Sequence, residues 1–188
     1  FLSSIPNMHI MAPKNKWELS DMMKFAYDFK GPIAIRYPRG GESVALAQFG
    51  CSGREYDRLY TAPDAKAVMV SYADEVEDVL TAAKLLGKEN VPCDVYKIVK
   101  IYPFTPELIS EISRYDVVLF AEECVACGGI GEHLEMALQK AGWQGAYIHR
   151  GVEDVRLPHA TVPQIKQSTG LDAEHLAQAI RTWKGAES

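Results

Sequence analysis

Apolar residues along the chain occur in two kinds of pattern. Dense runs lie at residues 67–72, 93–101, 117–121 and 146–149, and each is followed by a stretch whose apolar positions recur every three or four residues. The dense runs predict strands buried on both faces, and the stripes predict amphipathic helices. Strands that alternate with helices in this way predict an α/β fold with a doubly wound, mostly parallel sheet.

The first part of the chain carries a smaller pattern of the same kind. An apolar stretch at residues 9–11 precedes a stripe of helical spacing over residues 19–29, which Gly31-Pro32 ends. Residues 33–37 form the next predicted strand. Such a unit gives parallel strands with a right-handed crossover. It has too little core to stand alone, so we expect it to belong to a larger sheet.

Between these regions, the apolar residues of positions 40–66 have no regular spacing, and glycine and proline interrupt the segment. Residues 44–47 could form a brief strand or a turn of helix. We interpret the segment as a linker, because loops of this length are uncommon inside a compact domain. The sequence therefore predicts a domain boundary here.

Composition and charge exclude several classes of protein. The 188 residues are 47% hydrophobic and 24% charged, as in an ordinary globular protein. No apolar run is long enough to span a bilayer, so no membrane association is expected. A net charge of −5 argues against a general nucleic-acid binder. The four cysteines lack the spacing of a secreted disulfide scaffold, which favours a reduced, cytoplasmic protein.

Two further features suggest that the chain is composite and incomplete. Residues 1–48 hold six Lys/Arg and four Asp/Glu, whereas the remaining residues hold 14 and 21. This split suggests two parts with different roles. The chain also begins at Phe1 without an initiator methionine or a recognisable signal peptide. We therefore expect a fragment of a longer protein.

The first candidate site is the segment Arg36-Tyr37-Pro38-Arg39-Gly40-Gly41, which follows a predicted strand. Ligands in open parallel sheets lie at the carboxyl ends of strands. Two guanidinium groups three residues apart at such a place suggest an anion, most plausibly a phosphate. The alternative is that both arginines pair with local carboxylates.

A second candidate is Gly128-Gly129-Ile130-Gly131, which follows one predicted strand and opens a helix. That position suits an anion held by helix N-terminal amides. The dinucleotide-binding fingerprint is incomplete, because Leu134 stands where its third glycine would be. We favour the other interpretation, close packing of helix against strand through small residues.

The remaining polar candidates form no complete catalytic set. Cys124 and Cys127 have the spacing of a thioredoxin-like motif, but no second pair completes a zinc site, and two small, partly buried residues are the favoured interpretation. Glu122 and Glu123 could do acid–base work or pair with Arg39 or Arg150. The sequence offers them no base partner, which favours a structural role, and the five histidines show no metal-ligand spacing.

Several stretches together resemble the 1-deoxy-D-xylulose-5-phosphate synthase family, within the thiamine-diphosphate-dependent transketolase group. The resemblance spans nearly the whole chain except the linker, and the Arg36–Gly40 block is among its more specific parts. The stretches that carry it are residues 4–13, 31–32, 36–40, 118–123, 128–131, 151–152, 157–158 and 169–172.

The resemblance implies a C-terminal fragment in three parts. Residues 1–45 would be the tail of a pyrimidine-binding domain, residues 46–64 a divergent linker, and residues 65–188 a transketolase C-terminal domain. Members of the family condense pyruvate with glyceraldehyde 3-phosphate to 1-deoxy-D-xylulose 5-phosphate, a precursor for isoprenoid, thiamine and pyridoxal biosynthesis. A homodimer is also implied.

The resemblance also divides the functional residues between this chain and the rest of the enzyme. It assigns Arg39 to the phosphate of glyceraldehyde 3-phosphate, with Arg36 and Tyr37 in support. The catalytic residues and the ligands of thiamine diphosphate and Mg²⁺ would lie outside this chain, which should be inactive alone. The alternative is a free-standing, non-catalytic subunit that docks on a cofactor-binding partner.

Overall fold

The computed structural model describes residues 2–38, 41–153, 156–157 and 159–186. A 3₁₀ turn at Leu2–Ser4 comes first. The strands are β1 (His9–Met11), β2 (Ile33–Ile35), β3 (Tyr56–Tyr60), β4 (Ala67–Ser71), β5 (Cys93–Ile98), β6 (Lys100–Tyr102), β7 (Val117–Val125) and β8 (Ala146–Val152). The α-helices are α1 (Lys16–Asp28), α2 (Val44–Ala47), α3 (Glu75–Lys88), α4 (Pro106–Ile112), α5 (Ile130–Lys140), α6 (Val162–Thr169) and α7 (Ala173–Ala186).

The larger sheet is doubly wound, as the hydrophobic pattern predicted. Its strand order is β3-β5-β4-β7-β8, and every neighbouring pair is parallel except β3 with β5. One face is covered by α3 and α7, and the other by α4 and α5. The chain therefore changes face after β5, and the carboxyl ends of β4 and β7 lie at a topological switch point, where ligands of such sheets bind.

The smaller sheet has the order β2-β1-β6 and confirms the predicted strand–helix–strand unit. Strands β1 and β2 are parallel, with His9 opposite Ile33. Asn15 caps α1 by accepting the Glu18 N–H, and Met22 is the buried apolar residue of that helix. Strand β6 joins the sheet antiparallel to β1. The single strand predicted at residues 93–101 is thus divided, because β5 stays in the large sheet and β6 joins the small one.

The segment interpreted as a linker contains α2 and β3. Ser43 accepts the Leu46 N–H at the start of α2, which resolves the ambiguity at residues 44–47 in favour of a helix. Strand β3 forms the antiparallel edge of the large sheet. Its mixed residues, all partly buried except the exposed Arg58, give no clean apolar run, and the sequence pattern missed it for that reason.

A buried network of four charges ties the small sheet to the large one. Glu18 on α1 pairs with Lys97 of β5 and with Lys14, and Lys14 also reaches Asp57 of β3 at 3.2 Å. Both lysine side chains are fully buried. Burial lowers the pKa of Lys97 to about 8, although Glu18 opposes that shift. Burial also disfavours the charge of Lys14, but Glu18 and Asp57 together raise its pKa.

Candidate functional site

The loop after β2 is anchored by Arg36. Its guanidinium donates to the main-chain carbonyl of Glu123 at 2.8 Å and lies 5.2 Å from the ring centroid of Tyr72. Its own N–H donates to the carbonyl of Met11 at 2.8 Å, which continues the β1–β2 pairing. Among the described residues Arg36 therefore holds a carbonyl and an aromatic face, rather than the carboxylate that the sequence left open. Tyr37, next along the loop, is exposed.

The other residues of the predicted anion site divide into two groups. Pro38 and Gly41 lie within the described chain, but Arg39 and Gly40 lie outside it. The structure thus describes the loop up to Pro38, and the role of Arg39 as the phosphate contact stays a prediction.

A cavity of about 270 Å³ lies between this loop and the carboxyl ends of β4 and β7. It coincides with the topological switch point of the large sheet. Its lining combines the loop, the start of α3 and a residue of α6: Arg36, Tyr37, Pro38, Tyr72, Ala73, Asp74, Glu75, Glu123 and Val162.

Beside the cavity, Lys166 of α6 lies among three carboxylates. Its ammonium is 2.9 Å from Glu75 and 2.8 Å from both Asp78 and Glu123. Burial opposes the lysine charge, but the three partners raise the pKa of Lys166 above its ordinary value. Helix α6 has no buried residue, so this cluster is a principal link between α6 and the rest of the fold.

Glu75 is the most deeply buried carboxylate of that cluster, with a relative exposure of 1%. Burial raises its pKa to about 8, even though Lys166 opposes the shift. Its Oε1 accepts no hydrogen bond within the described chain. Burial and the missing donor at Oε1 favour the protonated form of Glu75, whereas the Lys166 ammonium favours the ionised form.

Strand β7 reaches the cavity through a bulge. Ala121 pairs with Arg150 and Val125 pairs with Val152, so the paired positions are four residues apart on β7 but only two residues apart on β8. The extra residues leave the regular alternation. As a result Glu122 is buried, whereas Glu123 lines the cavity.

The Glu122 carboxylate is the anion at the start of α5. It accepts the N–H groups of Ile130 at 3.2 Å and Gly131 at 2.9 Å, and the Tyr72 hydroxyl at 2.8 Å. His149 Nε2 lies 2.9 Å from the same carboxylate. Although burial opposes ionisation, these partners, led by His149, hold the pKa of Glu122 below its usual value.

The glycines of this turn have the packing role that the sequence favoured. A Cβ on Gly129 would come within 2.3 Å of Glu122 Oε1, and one on Gly131 within 2.2 Å of His149 Nε2. The anion expected at the helix start is therefore a side chain of the protein itself. This occupancy leaves the Ile130 and Gly131 amides no room for an external phosphate.

Pairing with Arg150 was one alternative that the sequence left open for Glu122 and Glu123, and the described residues show other partners, while Arg39, the other arginine named, lies outside them. Arg150 donates to the carbonyl of His149, and Glu123 pairs with Lys166. His149 and Lys166 were missed because they lie 27 and 43 residues away in the sequence. A signal existed for His149, since neighbouring parallel strands place it beside Phe120, two residues from Glu122 in sequence.

The interpretation of Cys124 and Cys127 as partly buried residues was also wrong. Both side chains are exposed and unpaired, because the bulge and the following turn carry them to the surface. Within the described chain, no three His, Cys, Asp or Glu side chains are grouped so that they could hold a metal ion. Over the same residues, no helix is long and apolar enough to cross a membrane.

The chain is similar to several curated synthases along nearly its whole length. It is 33% identical to 1-deoxy-D-xylulose-5-phosphate synthase 2 of Geobacter sulfurreducens, over 97% of this chain and 30% of that protein. It is 29% identical to the 1-deoxy-D-xylulose-5-phosphate synthase of Thermotoga sp. (strain RQ2), over 100% of this chain and 30% of that protein. The chain thus spans about 30% of the length of these relatives.

Solved structures and a family comparison agree on the fold. A solved structure titled "Split gene transketolase, inactive beta4 tetramer" superposes with a TM-score of 0.79 and 25% identity, over 96% of this chain and 59% of that one. Transketolase from Campylobacter jejuni gives a TM-score of 0.69 at 15% identity, over 96% of this chain and 27% of that one, which supports the fold alone. The family described as "Transketolase, C-terminal domain" matches residues 59–176. Since this match spans more than half of the chain, the protein belongs to the transketolase C-terminal domain family.

Proposed function

We propose that this chain is the C-terminal part of a synthase that condenses pyruvate with glyceraldehyde 3-phosphate to 1-deoxy-D-xylulose 5-phosphate. The observation that carries the proposal is the match of 96–100% of the chain to proteins of that name, over only 29–30% of their length. We retain the division into residues 1–45, 46–64 and 65–188 as part of the proposal. A homodimer and a cytoplasmic location belong to it as well.

The cofactors of the proposed reaction are thiamine diphosphate and Mg²⁺, which we assign to the remainder of the longer enzyme. The described residues contain no group of three His, Cys, Asp or Glu side chains that could hold a metal ion. Thiamine diphosphate would supply the carbanion chemistry. We assign no catalytic, cofactor or metal residue to this chain.

Within the proposal, Arg39 binds the phosphate of the aldehyde, and Arg36 and Tyr37 support it. The contact of Arg36 with Glu123 supports this assignment, because it fixes the loop three residues before Arg39. Tyr37 is exposed next to that anchor and can contact a ligand. Holding one substrate by its phosphate lowers the entropic cost of a two-substrate reaction.

The test is substitution of Arg39 in the full-length enzyme. We expect Arg39→Ala to raise KM for glyceraldehyde 3-phosphate much more than KM for pyruvate, at a cost of about 2–4 kcal/mol. Arg114→Ala, at an exposed position between α4 and β7, is the matched control. Equal changes in both KM values would refute the phosphate assignment.

The isolated chain is expected to turn over neither substrate, because the proposed catalytic groups lie elsewhere. An assay of the 188-residue chain with pyruvate, glyceraldehyde 3-phosphate, thiamine diphosphate and Mg²⁺ tests this expectation. Product formation above the protein-free rate would contradict the assignment of the catalytic groups to the rest of the enzyme.

A second candidate is a free-standing subunit that docks on a separate cofactor-binding partner. The similarity to a split-gene transketolase supports it, since this chain covers 59% of that one but only about 30% of the synthases. The intact mass of the protein in its source cells separates the two candidates. A polypeptide about three times the length of this chain supports the synthase, and a chain close to this length, with a separate gene for the cofactor domain, supports the subunit.

A further inference from the structure

Cys124 and Cys127 are exposed thiols that have no role in the site described above. Cys93 is buried and Cys51 is half-buried, so the chain offers internal comparisons. Cys124 lies in the bulged end of β7, and Cys127 lies two residues before Gly129, the cap of α5. We propose that Cys124 and Cys127 form a modification site for low-molecular-weight disulfides of the glutathione class, which convert the two thiols into an internal disulfide.

The reaction proceeds by two thiol–disulfide exchanges. One cysteine thiolate attacks the reagent disulfide, forms a mixed disulfide and releases one reagent thiolate, which takes up a proton. The second cysteine thiolate then attacks the protein sulfur of that mixed disulfide and releases the other reagent thiol. The two cysteines lose two electrons and two protons, and the reagent is reduced to two thiols.

The proposed bond limits the distance that the backbone can span between the two cysteines. A disulfide needs its Cα atoms roughly 4.4–6.8 Å apart, whereas three extended residues span up to about 10 Å. Cys124 and Val125 are extended, and the turn that follows is closed by the Gly129 N–H donating to the Ala126 carbonyl at 3.1 Å. The proposal therefore includes a shortening of the backbone between the bulge and this turn.

Two contacts tie that short stretch to β8. Val125 pairs with Val152 of β8, and the Ala126 N–H donates to the Val152 carbonyl at 2.8 Å. They lie at the last bridge of β7 with β8, beyond the bulge, where the ladder is already interrupted. The hydrogen bond from the Ala126 N–H to Val152 is therefore the contact that disulfide closure would break first.

The modification is coupled to the candidate site through Glu123. This residue precedes Cys124, its carbonyl anchors Arg36, and its carboxylate pairs with Lys166. Shortening the chain at Cys124 shifts both groups. Oxidation should therefore loosen the loop after β2 as well as the end of β7.

The surroundings distinguish this site from that of a redox catalyst. Thioredoxin-like catalysts stabilise a thiolate with the free amides of a helix N-terminus. Here the Ile130 and Gly131 N–H groups bind Glu122, and the Gly128 N–H donates to Glu132 at 3.0 Å. Carboxylates of the protein thus occupy these three amides, which favours reversible modification over catalysis of disulfide exchange in other proteins.

The test is to equilibrate the full 188-residue chain with mixtures of oxidised and reduced glutathione, alkylate it after unfolding and map the cysteines by mass spectrometry. We expect the segment with Cys124 and Cys127 to lose the mass of two hydrogen atoms and to resist alkylation, while Cys93 is alkylated. Cys51→Ser should behave like the unsubstituted chain. Cys124→Ser should stop at a mixed disulfide on Cys127. A chain that carries only mixed disulfides, or none, would overturn the proposal.

A second readout tests the geometry. Amide hydrogen exchange at Ala126 should accelerate by about tenfold or more in the oxidised chain, because its bond to Val152 is lost. Cys124→Ser under the same conditions controls for glutathione attachment alone and should leave that rate unchanged. An internal disulfide with unaltered exchange at Ala126 would refute the proposed closure. Neither readout depends on synthase activity.

Discussion

The guanidinium of Arg36 donates to the main-chain carbonyl of Glu123 at 2.8 Å, and this bond joins the end of β2 in the small sheet to the bulge of β7 in the large sheet. The same guanidinium lies over the ring of Tyr72, whose hydroxyl donates to Glu122. One arginine thus connects the loop that carries the predicted phosphate contact to the buried carboxylate at the start of α5. Its position depends on packing between the sheets as well as on the loop sequence.

Removing the Arg36 side chain should therefore loosen this connection. We expect Arg36→Ala to lower the free energy of unfolding by about 1 kcal/mol, the usual net value of one such hydrogen bond. Arg114→Ala removes an exposed arginine that pairs, within the described chain, with its near neighbour Glu111, and it should change stability by less than about 0.5 kcal/mol. Urea denaturation of both variants gives the comparison. Equal losses in the two variants would show that Arg36 does not join the sheets.

The turn before α5 predicts a contrast between two glycines. A Cβ on Gly131 would lie 2.2 Å from His149 Nε2. Gly131→Ala should therefore separate His149 from Glu122 and cost about 2 kcal/mol or more. Gly185→Ala meets no atom within 4 Å and replaces a helical glycine, so it should stabilise the chain by about 0.5–1 kcal/mol. Denaturation midpoints that shift in the same direction would contradict the packing role of Gly131.

Burial of Glu75 predicts a pH dependence of stability. Its pKa is about 8 in the folded chain, against an ordinary value of 4.5. Between these values the folded protein keeps a proton that the unfolded chain releases, so raising the pH lowers the free energy of unfolding. Glu75→Gln cannot ionise and should flatten this decline between about pH 5 and pH 8. Burial also raises the pKa values of Asp74 and Asp78, so part of the slope should remain.

Glu107→Gln is the control for that experiment, because Glu107 is exposed on α4, which covers the opposite face of the large sheet from α3. It should leave the pH slope as it is in the unsubstituted chain. Measurements should stay below pH 8, since Lys97, with its pKa lowered to about 8, gives a slope of opposite sign above that value. An unchanged slope in Glu75→Gln would mean that Glu75 does not hold its proton near neutral pH.

Local sequence signals predicted the large sheet and most helices, because dense apolar runs and helical stripes report burial directly. They did not reveal β3, an edge strand whose partly buried residues have no strict alternation. They also missed His149 as the partner of Glu122 and Lys166 as the partner of Glu123, since those contacts come from strand register and helix docking. The exposure of Cys124 follows from a bulge, which no residue periodicity encodes.

The buried network around Glu18 predicts the largest loss of stability. Glu18→Gln keeps the shape of the side chain but leaves Lys97 without its ion-pair partner and Lys14 with Asp57 alone. Removing one member of a buried pair typically costs about 3–5 kcal/mol. A Lys24→Gln variant, which breaks an exposed pair with Asp21, should cost less than about 1 kcal/mol.

A double substitution distinguishes an unpaired buried charge from a loss of packing at Glu18. Adding Lys97→Met to Glu18→Gln removes the stranded ammonium and replaces it with an apolar side chain of similar length. If desolvation of that charge dominates, the double variant should recover part of the stability lost by the single one. A double-mutant cycle measured by urea denaturation supplies the coupling free energy. Strictly additive losses would show that the two side chains do not stabilise each other, and that the sheets are joined by their apolar contacts instead.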